Sequence, residues 1–155
     1  MNRTITRTLL GTIFAIGLIA SMATPAYAGG PPCSLARAAG NWAFTDSGTV
    51  VGIGPRTAVG TLTLDAAGNL SNGVATSSLN GAIANETFSG TYTVNPDCTG
   101  TASVDIFASG IELFAVTFNV AFDHNMQHMR GIFTSVVEPN GMSLSTVVAL
   151  DANKL

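Results

Sequence analysis

Asp123-His124-Asn125-Met126-Gln127-His128-Met129 is the densest run of chemically capable side chains in this 155-residue sequence. Thioether sulfur beside imidazole suits a soft ion such as copper(I), which makes His124, Met126 and His128 weak metal candidates. Their spacing argues against a site. Residues i and i+4 meet on a helix, whereas four residues of extended strand span roughly 13 Å. The run reads instead as a polar hairpin tip with His128 on a sheet surface. Nucleophilic catalysis has less to stand on, since a triad needs nucleophile, base and orienter to converge. The sequence holds two histidines and neither a G-x-S-x-G nor an H-E-x-x-H pattern. Glu86 and Glu112 could serve as acids of raised pKa if they faced a barrel interior, although Glu112, at a strand start, reads more simply as solvated. With no phosphate-cradling glycine pattern either, no catalytic residue, resident metal or cofactor is assigned, and the chain reads as a non-enzyme before it reads as an enzyme.

The elements that would position such groups begin after a targeting segment. Arg3 and Arg7 precede an uncharged apolar stretch from Leu9 to Ala20, then Pro25 and the small-x-small site Ala26-Tyr27-Ala28. This is the pattern of a cleavable secretory signal over residues 1–28, and its apolar stretch is shorter than the roughly 20 residues a spanning helix needs. The expectation is one domain over residues 29–155, secreted or periplasmic, with no membrane attachment after cleavage. That domain carries four basic residues (Arg37, Arg56, Arg130 and Lys154) against nine acidic ones. A phosphate-backbone binder needs clustered cations, so nucleic acid is excluded as a partner. Cys33 and Cys98 form an even pair in an exported chain, with no C-x-x-C spacing, which predicts one structural disulfide.

Composition and alternation are those of β-structure. Strands are predicted over residues 42–51, 58–64, 70–78, 86–94, 98–107, 111–122, 127–137 and 142–150, separated by turns such as Asp65-Ala66-Ala67-Gly68-Asn69 and Glu138-Pro139-Asn140-Gly141. Connections this short leave no room for crossover helices, so neighbours must be antiparallel. The predicted fold is all-β, an up-and-down antiparallel barrel of about eight strands, with a two-sheet sandwich as the alternative. Ser34 to Ala39 is expected to form one helical turn across the barrel's end. Gly60-Thr61-Leu62-Thr63-Leu64 and Gly90-Thr91-Tyr92-Thr93-Val94 are similar units, each a strand running into a tight turn with threonine outward and the larger residues inward.

Leu35-Ala36-Arg37-Ala38-Ala39-Gly40-Asn41-Trp42 resembles the G-x-W start of the first strand in lipocalins and other calycin barrels. That resemblance implies that Trp42 closes one barrel end and that the interior holds a small apolar ligand. Gly90 to Gly100, with an early cysteine before a G-x-aromatic strand, is similar to small exported bacterial β-barrel proteins of unassigned function. Some of those resemble the allene oxide cyclase barrel, whose members close rings on bound apolar substrates. The sequence departs from lipocalins in having no arginine on its last strand to stack under Trp42.

On the sixth predicted strand Phe114, Val116, Phe118, Val120 and Phe122 share one face. If Phe122 pairs with Gln127, then Met129, Gly131 and Phe133 join that face, while His128 and Arg130 join Asn119 on the other. A filled core is the plainest use of such a face. The functional use is a cavity wall, for which Trp42, Tyr92, Phe114, Phe118, Phe122, Met129 and Phe133 are the candidate ligand-binding residues. An inverted barrel, with the aromatic residues outside and His128 and Arg130 inside, is a third arrangement. Three functional classes follow: an exported barrel binding a small apolar molecule; a filled-core interaction protein whose outer Ile111, Leu113, Ala115 and Ile132 drive homo-oligomer formation; and a cofactor-free cyclase or isomerase.

Overall fold

The structure, a computed structural model, describes residues 32–155; the expected signal peptide lies outside them. A helical turn, α1 (Leu35–Ala38), precedes eight strands: β1 (Gly40–Val50), β2 (Gly54–Leu64), β3 (Asn69–Leu79), β4 (Ala82–Tyr92), β5 (Thr99–Ala108), β6 (Ile111–Phe122), β7 (His128–Val137) and β8 (Thr146–Lys154). Each strand pairs antiparallel with its successor, and β1 also pairs with β8, from Trp42 opposite Lys154 to Val50 opposite Thr146. The sheet therefore closes, and the chain is an up-and-down barrel, not a sandwich. In a closed sheet every second side chain must point inward. The predicted Phe face of β6 does so, with Val116, Val120 and Phe122 buried, which rules out the inverted arrangement.

Several boundaries differ from those predicted, and β8 also runs on to Lys154, four residues past its predicted end. β2 and β4 start at Gly54 and Ala82, well before the clear alternation begins, because β2 pairs with β1 from Gly54 and β4 pairs with β3 from Ala82, just past the Asn80-Gly81 turn. β8 starts at Thr146 and not at Met142, because its register against β1 begins at Val50. The β6–β7 turn is also longer than predicted. The Asp123 carboxylate accepts the backbone N–H groups of Gln127 (2.7 Å) and His128 (3.0 Å), and Met126 takes a left-handed conformation. Phe122 consequently faces Met129 and not Gln127. The displacement is two residues, one full side-chain period, so Met129 and Phe133 still share the inner face with Phe118 and Phe122.

The barrel end beside α1 is sealed. Trp42 is fully buried there, donating its indole N–H to the Ala38 carbonyl at 2.9 Å and meeting the edge of Phe122. Tyr92 reaches the same end and donates to the carbonyl of Asp65 or Leu35. Burial and the nearby Asp65 charge push its phenol up to about 12. Gly60 and Gly90 allow the wall to curve: a Cβ on either would run into the backbone of the adjacent strand, at the Val74 and Ser103 carbonyls.

Cys33 and Cys98 are bonded, tying the segment before α1 to the start of β5 across 65 residues of chain. Closing a loop of that length restricts the unfolded chain by about 4 kcal/mol in the loop-entropy model. Urea unfolding of the Cys33→Ser/Cys98→Ser variant should show a loss of that order with an intact β-sheet circular dichroism spectrum. A loss below about 1 kcal/mol would place the bridge outside the cooperative unit.

Candidate ligand cavity

Inward-facing residues fill the barrel unevenly. They leave an interior cavity of about 60 Å³, lined by small residues such as Ala102 on β5 as well as by large ones. Five of the residues predicted to face a ligand, Tyr92, Phe118, Phe122, Met129 and Phe133, line it together with Phe44 and Phe88. Phe118 and Phe133 meet edge to face at 4.7 Å and form one wall, and Phe44 and Phe88 form a similar pair at 5.6 Å. The other two predicted residues lie elsewhere. Phe114 borders a separate void of about 10 Å³ towards the far end, and Trp42 sits in the sealed end next to Phe122.

Of the polar side of the cavity, the sequence points to Glu86 as an interior acid but not to Asp46 or Arg56. Asp46 of β1, Arg56 of β2 and Glu86 of β4 all line it, and all three are buried. Glu86 receives both terminal nitrogens of Arg56: Nη1 donates to Oε1 at 3.1 Å and Nη2 to Oε2 at 3.1 Å. Nη2 also donates to Asp46 Oδ2 at 3.2 Å, and the Ser77 hydroxyl donates to Glu86 Oε1 at 2.6 Å. Two polar atoms remain without a hydrogen-bond partner among the described residues, Asp46 Oδ1 and Arg56 Nε. Burial works against the Arg56 charge, but hydrogen bonds to Glu86 and the charge of Asp46 outweigh it, so the guanidinium is held more firmly protonated than usual. Burial raises the Asp46 carboxyl above its ordinary value, with Arg56 offsetting only part of the effect. Arg56 also borders the smaller void, so its side chain stands between the two interior spaces.

A signal for this cluster was present in the alternation. Asp46 shares a strand face with Trp42 and Phe44, Arg56 with Leu62 and Leu64, and Glu86 with Phe88 and Tyr92. Glu112, the other acid considered for the interior, is exposed at the start of β6.

The His/Met run is dispersed. Met126 is fully buried in the sealed end, His124 lies with Nδ1 3.7 Å from Cys98 Sγ, and His128 Nε2 is 3.0 Å from Asp151 Oδ2 on the outer surface. Among the described residues no three of the His, Cys, Asp and Glu side chains come together as a metal-binding group.

No family model matches the sequence, and no curated protein does. The structure is similar to that of EF1p2_mFAP2b bound to DFHBI, with a TM-score of 0.51, 15% identity, 79% of this chain covered and 100% of that one. The likeness is one of fold. It agrees with the barrel that the G-x-W resemblance implies.

A carboxyl whose pKa is raised by folding keeps its proton in the native state after the unfolded chain has released it. Stability then falls as pH rises from the ordinary aspartate value of 3.8 to the native value of Asp46. Asp46→Asn removes that component. The stability of the variant relative to the wild type, from urea unfolding at a series of pH values, should therefore increase from acid to neutral pH. A flat or opposite trend would mean that Arg56 compensates the charge in full.

Proposed function

We propose that this protein is a non-enzymatic binding barrel, secreted or periplasmic, that holds a small and largely apolar molecule in its interior. The cavity carries the reading: an apolar, aromatic-walled space inside a closed barrel, with one polar cluster to orient what enters. A core selected only for stability would close such a space, because interiors pack to crystal-like density and unfilled volume costs stability. EF1p2_mFAP2b, of similar fold, is seen bound to DFHBI, which supports a barrel of this build as a ligand holder. The disulfide suits an oxidising compartment.

Native mass spectrometry of the protein purified from its own source, before and after denaturation, tests the reading. A small molecule released on unfolding is the expected result. Ala102→Leu places a larger side chain directly in the cavity, and should weaken binding at least about tenfold while costing no more than about 1–3 kcal/mol of stability. A clean ligand-free mass, together with a filled variant that behaves like the wild type, would leave a filled-core structural role.

A further inference from the structure

The two ends of the barrel present different side chains to solvent. At the end away from α1, all four connections expose a large apolar group: Val51 and Ile53 between β1 and β2, Ile83 just after the β3–β4 turn, Ile111 just after the β5–β6 turn, and Met142 between β7 and β8. Ile83 is 70% exposed and Ile111 69%. Turns on a protein surface are polar as a rule, so apolar tips on every connection of one end mark it as an interaction surface. The α1 end is the reverse. It carries Asp65, Asp97 and Asp123 in its turns, with Arg37 and Lys154 beside them. Of the large apolar residues described there, only Leu155 is exposed.

Size and charge together decide what can cover the far end. With strands about 4.8 Å apart and tilted about 40°, eight of them close at a backbone radius of about 8 Å, so the end offers about 400 Å² even with its side chains included. A stable protein interface buries roughly 800 Å² on each partner. Neither a second copy nor another protein held by this end alone reaches that area. A lipid layer makes no such demand, because each tip enters the apolar boundary separately and affinity follows the apolar surface buried. Anionic headgroups are drawn by lysine and arginine. The far connections and the two strand residues flanking each hold Glu112 and Glu138 as their charged residues, and no cation.

We propose that this end docks reversibly on a lipid surface of net-neutral headgroups, with Val51, Ile53, Ile83, Ile111 and Met142 entering the acyl boundary and the α1 end turned to water. Behind these tips, Val50, Leu79, Phe114 and Val136 border the void of about 10 Å³. Ile106 and Phe133 border both that void and the main cavity, so apolar lining continues from the docked end towards the interior. Docking itself does not depend on the cavity being a ligand site.

Flotation of the protein purified from its own source, with phosphatidylcholine vesicles and with vesicles in which phosphatidylglycerol replaces part of the lipid, tests the docking. The protein should float with phosphatidylcholine alone and no better with the mixture. Ile83→Ser/Ile111→Ser should lower the partition coefficient at least about tenfold, since returning one buried isoleucine to water already costs about that factor. Val59→Ser/Val74→Ser, exposed on the side wall, should leave it unchanged. Orientation has its own readout, which needs no loss of binding. Brominated phosphatidylcholine should quench the fluorescence that Ile111→Trp adds and spare that of Trp42, the one native tryptophan, buried at the opposite end. No flotation with phosphatidylcholine, flotation that requires phosphatidylglycerol, an equal loss in the side-wall pair, or quenching of Trp42 would each overturn the docking. A wild-type dimer in sedimentation velocity that Ile83→Ser/Ile111→Ser abolishes would overturn it in favour of a second copy. None of these outcomes alters what native mass spectrometry reads about a ligand in the cavity.

Discussion

Closing eight strands into one sheet leaves no strand edge and sends alternate side chains into a confined interior. The pairing of β1 with β8 makes this constraint absolute for every strand. It buries Trp42, Val116 and Phe122, where hydrophobic burial favours the arrangement. It also buries Asp46, Arg56 and Glu86, where desolvation opposes it. A charged side chain in an open sheet could turn its edge to water; inside this barrel its charge must be met by other inward-facing groups. Arg56 meets two carboxyl groups at once, and Ser77 completes one side of Glu86. The four strands that contribute these groups, β1 to β4, are thereby joined across the interior as well as through the wall.

The barrel's two ends differ. Beside α1, Trp42, Phe122, Met126 and the Cys33–Cys98 bridge form a plug, and Asp65, Asp97 and Asp123 shape the nearby turns by accepting backbone N–H groups two to five residues ahead. At the far end the turns and strand starts expose Val51, Ile53, Ile83, Ile111 and Met142. The cavity lies between that plug and the ion cluster. Replacing a buried ion group with apolar residues often costs nothing in stability, so stability alone gives no reason for this barrel to keep one.

The sequence by itself determined most of the wall. Alternating residues, turn-forming Asp, Asn and Gly, and short connections specified eight antiparallel strands, and period-two alternation set the inner face even where the β6–β7 turn proved longer, since a shift of two residues leaves Phe118, Phe122, Met129 and Phe133 facing the same way. The even cysteine count in an exported-looking chain pointed to the bridge. Only the tertiary structure decided how full the interior is and which charges share it. Asp46, Arg56 and Glu86 are ten and thirty residues apart in sequence; strand alternation places each on an inner face, but their convergence depends on strand stagger and barrel closure. Likewise Phe114 and Phe118 are indistinguishable as members of one strand face, yet they border different spaces, with Arg56, Ile106 and Phe133 lining both. Local pattern fixes the direction of a side chain, whereas cavities and ion clusters depend on what arrives from the opposite wall.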